Sequence, residues 1–236
     1  MMLQDKPVIS NQHGALAMAI LPFIYAIIES QFIPLHIFFV LSWLSLYLFS
    51  YPFLALFSKK PTERNKKWAK IYFGLSLLFA LPVIYTKPTI LQFLVIILPL
   101  GLTQIYYAKQ KDERNLFNDI ASILIFGVIG MASFYLVNES YNFEILLHPT
   151  LFFIATTFYV KSMVRERRNP IYMEISILSH LLLAILYIIC SMQAVFFVYL
   201  IALSRAIVVP GLGWNVKQIG MLEFPMMLIF LISLIW

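Results

Sequence analysis

The stretch LFNDIASILIFGVIGMASFYLV, Leu116 to Val137, decides the fold. Beyond Asp119 it carries no charged side chain, and its length falls within the roughly 17 to 25 residues that take an α-helix across a bilayer core. It is too long, and alternates too little, to be a barrel strand, so its backbone polar groups are expected to find their partners within one helix. The pattern repeats on both sides. Apolar spans are expected at 13–30, 32–57, 68–85, 89–107, 116–137, 147–164, 171–190, 193–209 and 218–236, which makes an all-α integral membrane bundle of nine transmembrane helices in a single domain, 1–236. Composition agrees: with 61% hydrophobic residues, 12% charged and a mean hydropathy of +0.87, the chain has too little polar surface to cover a water-soluble globule of its size.

No connection between these spans exceeds about ten residues, which leaves no room for a soluble catalytic or nucleic-acid-binding domain. Chemistry is therefore expected inside the bundle or at its rim. Cys190 is the only cysteine, so an intrachain disulfide is excluded. No small-x-small cleavage pattern follows the first apolar run, which reads as a retained helix.

Orientation follows from the positive charges of the short loops. Lys59, Lys60, Arg64, Lys66, Lys67 and Lys70 lie after the second span, Lys109, Lys111 and Arg114 after the fourth, Lys161, Arg165, Arg167 and Arg168 around the end of the sixth, and Arg205 and Lys217 around that of the eighth. With Lys6 they comprise all 17 Lys and Arg residues except Lys87. The N-terminus is expected in the cytoplasm and the C-terminus outside. Three of these loops share a pattern: Glu63-Arg64-Asn65, Glu113-Arg114-Asn115 and Glu166-Arg167-Arg168-Asn169. Asparagine is a favoured helix N-cap, and Asn169 followed by Pro170 is a strong helix start. An internal duplication is the alternative reading.

Ionisable groups inside spans are costly and mark candidate sites. His13 opens the first span, and Asn118 and Asp119 lie in the first turn of the fifth. Lys161 and Arg205 sit about one turn from the ends of the sixth and eighth, Glu223 lies roughly 8 Å into the ninth, and His180 is the deepest at roughly 14 Å. Acids in a first turn also favour their own helix dipole, and a terminal lysine or arginine also reaches headgroups by snorkelling. Arg205, flanked by Ser204 and Ala206, is expected to be buried against Asp119 or Glu223. His36, near an outer end, is expected at the interface. Thr157, Lys161 and Arg165 follow a four-residue spacing, a stripe that suits an anion. Ser176 and His180 share a face, whereas Glu174 points elsewhere; Trp43, Tyr47 and Tyr51 form an aromatic stripe that either packs or lines an acyl or prenyl channel. The odd-numbered helices all begin on the cytoplasmic side, and their positive dipole ends add to an anion-attracting rim.

The opening Asn11-Gln12-His13-Gly14-Ala15-Leu16-Ala17-Met18, the pair Asn118-Asp119 and the run Tyr159-Val160-Lys161-Ser162-Met163-Val164-Arg165-Glu166-Arg167 resemble the YwiC-like family of bacterial membrane proteins. That resemblance implies a multi-pass protein of a bacterial inner membrane and brings no reaction with it. The nine-helix arrangement is also similar to the UbiA superfamily of intramembrane prenyltransferases, which implies chemistry at the cytoplasmic ends of the second and sixth helices. Those enzymes hold Mg²⁺ with aspartate-rich motifs. Here Ser58 to Lys67 and Lys161 to Asn169 carry lysine and arginine with only Glu63 and Glu166, so cationic side chains would bind a diphosphate or other anion directly.

The expected site is a cytoplasm-facing polar cavity for an isoprenoid or other amphipathic anionic lipid. His13, Asn118, Lys161, Arg165, Arg205 and Glu223 bind substrate, Asp119 or His180 accepts a proton, and no metal or other cofactor is assigned. Membrane lipids are the expected partners. The alternative is a transporter or a non-catalytic membrane partner in which Asp119, Glu223 and Arg205 form a charge-paired gate or proton relay. The near absence of ionisable residues from the outer halves of the spans favours the one-sided cavity.

Overall fold

A computed structural model describes residues 6–10, 13–57 and 62–236, and for His13 the backbone alone. Asn11, Gln12, Ser58, Lys59, Lys60 and the side chain of His13 lie outside the described residues. Among the described residues the fold is all-α, with nine helices and no strand: α1 His13–Glu29, α2 Leu35–Leu54, α3 Glu63–Thr86, α4 Leu94–Gln110, α5 Leu116–Asn138, α6 Phe143–Val164, α7 Pro170–Ile189, α8 Gln193–Val208 and α9 Val216–Ile235. Short 3-10 turns continue α2 and α8 and lead into α4. All but α1 are, with these extensions, long and apolar enough to cross a membrane; α1 is a shorter apolar helix. The protein is a multi-pass membrane-helix bundle.

The loop asparagines explain several helix starts. Asn115 accepts from the Phe117 N–H at 3.0 Å and Asn169 from Ile171 at 3.2 Å, so each caps the helix that follows it. Asn215 and Gln218 form a reciprocal capping box at α9. The first loop departs from the pattern. There Thr62 is the cap, accepting from Asn65 N–H at 3.1 Å, and Glu63-Arg64-Asn65 is already helical. For this reason α3 begins at Glu63 rather than at 68: its first turn is polar and invisible to an apolar count. The three similar motifs thus occupy two different structural positions. Asn142 likewise caps the polar start of α6, accepting from Glu144 N–H at 2.9 Å.

The chain divides into two compact units, Met1–Leu146 and Leu147–Trp236, and the division falls inside α6. In the first, α5 is the central and most enclosed helix. Gly130 lies so close to α1 that an added Cβ would meet Pro22 Cβ at 2.7 Å and its carbonyl oxygen at 2.8 Å. Trp43 donates from Nε1 to the Ala19 carbonyl at 3.1 Å, and both Trp43 and Tyr47 pack their rings on Phe126. Two members of the aromatic stripe therefore serve packing, whereas Tyr51 is exposed. The expectation for His36 is corrected. It is buried, not interfacial, with Nδ1 accepting from Ile33 N–H and Nε2 donating to the Ser133 carbonyl, both at 3.1 Å. It ties α2 to α5.

In the second unit, successive helices run antiparallel, as the contacts between Phe158 and Tyr172, Tyr187 and Tyr199, and Arg205 and Glu223 show. The turn between α7 and α8 is tight because Ser191 adopts a left-handed φ of 62°, which lets Met192 N–H reach the Tyr187 carbonyl. Tyr159, Met163, Ala206, Val209 and Ile219 form an apolar core at the end where α6 and α8 stop and α7 and α9 begin. Arg167 fastens that end by donating to the carbonyls of Met163 and Trp214. Arg64 similarly binds the carbonyls of Lys6 and Pro7 in the first unit. These two arginines of the basic loops hold backbone.

Candidate functional site

Arg205 is the centre of a polar cluster in the second unit. It is 5% exposed, Glu223 6% and His180 fully buried. α8 carries Arg205 about one turn before its end and α9 carries Glu223 about two turns after its start, so the antiparallel pair brings the two charges to one level. Arg205 Nη1 donates to Glu223 Oε2 at 2.5 Å. The Arg205 guanidinium also lies over the Tyr159 ring of α6, 4.2 Å from its centroid. Of the two carboxylates expected as its partner, the structure shows Glu223.

α7 supplies His180. Its Nδ1 lies 2.6 Å from the Ser176 carbonyl one turn back, so Nδ1 carries the hydrogen and donates. In the neutral ring Nε2 is then an acceptor, and it faces Arg205 Nη2 at a long 3.4 Å. Burial and the guanidinium both hold this imidazole neutral, and Nε2 becomes free to take a proton only when Arg205 turns to another acceptor. As expected, Ser176 and His180 lie together, both fully buried, and Glu174 is exposed.

Several polar atoms of the cluster have no hydrogen-bond partner although buried: Arg205 Nε, Glu223 Oε1, Tyr159 Oη and Ser176 Oγ. Buried polar groups are ordinarily paired, because an unmet bond costs roughly 1 to 3 kcal/mol. Thr150, Thr156 and Tyr199 of the same unit also carry unpartnered buried oxygens, but Arg205 and Glu223 are the charged side chains among them.

The remaining expected residues are placed as follows. Lys161 is buried on α6, half a turn past Tyr159, whereas Arg165 follows the end of α6 and is exposed. Thr157 donates to the Phe153 carbonyl of its own helix at 2.8 Å, so the stripe on α6 runs from a helix-bonded hydroxyl through a buried ammonium to a solvent-facing guanidinium. Asn118 and Asp119 belong to the first unit, in the first turn of α5, half-buried; Asn118 Nδ2 donates to the Glu113 carbonyl at 2.7 Å. His13 begins α1. Among the described residues no three His, Cys, Asp or Glu side chains converge.

Sequence reasoning did not single out Tyr159 as a cluster member, nor Tyr187, Tyr199 and His148. Tyr159, Lys161 and Arg165 all belong to the run that carried the family resemblance, but a tyrosine in an apolar helix gives no signal of what its ring faces. Tyr199, Phe152 and Phe230, all fully buried, form an aromatic layer across the unit, with the two phenylalanines stacked at 4.1 Å and 6°. Tyr187 stacks on Tyr199 at 5.2 Å and 15°, and its hydroxyl lies 2.7 Å from His148 Nδ1. The half of the unit away from Arg205 is therefore not devoid of ionisable groups.

No solved structure matches the chain. A protein of Haemophilus influenzae described as uncharacterized is 43% identical over 233 residues, covering 98% of each chain. The protein YwiC of Bacillus subtilis, also described as uncharacterized, is 36% identical over 221 residues, covering 92% of each. The model of the YwiC-like protein family matches residues 9–134. With an apolar helical bundle and two relatives matched along nearly their whole length, this chain belongs to the YwiC-like family of membrane proteins.

Proposed function

We propose that the second unit binds the anionic headgroup of an isoprenoid or other amphipathic lipid beside Arg205, at the cytoplasmic face of a bacterial inner membrane, and acts as an intramembrane transferase of the UbiA-like kind. The observation that carries this reading is the unmet hydrogen-bonding capacity of the Arg205 cluster. It offers a guanidinium N–H and two hydroxyls against one carboxylate oxygen, an excess of donors that suits an acceptor-rich group such as phosphate or carboxylate. An open apolar groove of about 370 Å³, lined by Phe197, Ile201, Ile229, Ile232 and Trp236 among others, runs along the surface of α8 and α9. It extends from the level of the aromatic layer to the end away from Arg205, where the far part of a long apolar tail fits. The aromatic layer of Phe152, Tyr199 and Phe230 closes the helices beyond the headgroup, which favours a ligand entering from one end. The bias of lysine and arginine to one set of loops supports a cytoplasmic placement of that end.

In the transfer, a hydroxyl or amine acceptor attacks the carbon that bears the anionic group. The bond to that group breaks and its electron pair leaves with the anion, which Arg205 holds; Lys161, on another face of α6, and Arg165, just past its end, add positive charge at the same end. His180 Nε2 takes the proton of the acceptor. Glu223 orients Arg205 and limits its charge. The roles expected of His13, Asn118 and Asp119 belong to the first unit and form no part of this reading.

The test is purification in mild detergent with identification of retained lipids by mass spectrometry. An isoprenoid or other anionic amphiphile is expected with the unsubstituted protein and is lost in Arg205→Ala. The same bulk phospholipid from both proteins would overturn the reading. A transporter with Arg205 and Glu223 as its gate is the second reading, favoured by the ionisable groups beyond the aromatic layer.

A further inference from the structure

The aromatic layer of the second unit consists of two phenylalanines and one tyrosine. Phe152 and Phe230 stack face to face and present only hydrocarbon. Tyr199 meets both of them, edge on, at centroid separations of 6.1 and 6.3 Å. A third phenylalanine would fill the same space, so the hydroxyl is the feature that packing does not require.

On one side of Tyr199 lies Tyr187, ring on ring, with its hydroxyl bonded to His148. On the other lies His180, its ring centroid 6.3 Å away, with Nε2 directed at Arg205 and through it at Glu223. His148 is about one and a half turns from the start of α6, and Glu223 about two turns from the start of α9. Because α6 and α9 begin at opposite ends of the unit, these groups form a file along most of its length. From His148 to His180 every side chain exchanges protons: imidazole, phenol, phenol, imidazole. Arg205, which keeps its own protons, stands between His180 and Glu223 and ends the file.

We propose that this file is a proton path, and that the Tyr199 hydroxyl carries protons through a layer closed to larger species. It deepens the function proposed above and rests on it: the proton that His180 takes at the headgroup site leaves by Tyr199, Tyr187 and His148. One proton moves and no electrons do. At each phenol a proton arrives on oxygen and the phenol's own proton departs on the other side, so no phenolate accumulates. Tyr199 Oη is buried and makes no hydrogen bond to its neighbours, so each hop takes a hydroxyl rotation and a transient bridging water. Arg205, Glu223, Tyr159 and Ser176 surround the His180 end and His148 and Tyr187 the other, with Thr150, Thr156 and Ser233 further buried polar side chains of α6 and α9.

The experiment uses the full chain in phospholipid vesicles that enclose a pH-sensitive dye, with a potassium gradient and valinomycin setting the potential. Proton entry is expected above that of protein-free vesicles and at least tenfold slower in Tyr199→Phe, which keeps the ring and removes only the hydroxyl. Tyr187→Phe is expected to slow it comparably. Lipid retention is measured on the same preparations, where Tyr199→Phe retains the amphiphile and Arg205→Ala does not. Proton entry in Tyr199→Phe equal to that of the unsubstituted protein would overturn the proposal, as would entry no faster than in protein-free vesicles. Loss of the lipid together with the flux in Tyr199→Phe would also overturn it, because the hydroxyl would then be supporting the site. Flux that depends on Tyr199 in a protein retaining no amphiphile would sink the headgroup reading and leave the path standing.

Discussion

His36 in the first unit and His180 in the second are equally hidden from solvent, and their surroundings assign them different work. His36 has used both ring nitrogens on backbone groups, accepting from Ile33 and donating to Ser133 across helices. Nothing charged is bonded to it. His180 uses one nitrogen on its own helix and turns the other toward an arginine that is itself held by a glutamate. Burial alone therefore does not distinguish a histidine bonded only to backbone from one that faces an ion pair. The distinction lies in what remains unmet once the backbone has been satisfied, and in the charge that stands beside it.

The sharpest way to break this comparison is to remove the charge that balances the second cluster. Glu223→Ala leaves Arg205 buried without its ion-pair partner and is expected to cost about 3 to 5 kcal/mol, read by denaturant titration in mixed micelles. The double substitution Arg205→Met, Glu223→Met is expected to recover most of that loss while retaining no anionic lipid. Recovery of the lipid as well would show that the charges serve stability only.

The two histidines then separate on different readouts. His36→Ala strands the Ile33 N–H and removes the second donor from the Ser133 carbonyl, and is expected to destabilise by roughly 1 to 3 kcal/mol without changing lipid retention. His180→Ala strands no backbone group, since the Ser176 carbonyl keeps its helix bond and the one from Ser179, and is expected to cost less stability than His36→Ala while abolishing turnover of the retained lipid. Equal turnover in the two variants would erase the contrast drawn above. In the first unit Gly130→Ala places a Cβ against Pro22, and an overpacking cost of roughly 1 to 3 kcal/mol is expected with the second unit's lipid unaffected. The smallest effects concern helix caps. Asn115→Ala and Asn169→Ala are each expected to cost about 1 kcal/mol, and Asn65→Ala, within the first turn of α3, less than about 0.5 kcal/mol.

Much of the architecture is legible in the chain because the bilayer is a severe solvent. An apolar run of bilayer length has one way to satisfy its backbone, so the stretch from Leu116 to Val137 and its counterparts announce themselves. Helix starts built from polar residues do not, which is why α3 reaches back to Glu63 and α6 to Phe143. Among the candidate residues, Arg205, Glu223 and His180 stood out because ionisable groups in apolar spans are costly wherever they point. Tyr159, Tyr187 and Tyr199 did not, because tyrosine is equally at home in packing, at an interface or in a polar file.

By itself the sequence determined that this protein is a bundle of membrane helices and which of its buried groups carry charge. Both follow from the transfer cost of single residues, a property each side chain has before it meets any other. Only the tertiary structure decided that Arg205 pairs with Glu223, that His36 is a staple and His180 is not, and that a tyrosine stands in the aromatic layer between His180 and His148. Those are facts about which helix faces meet, and residue types within a single helix carry no record of the neighbour they will face.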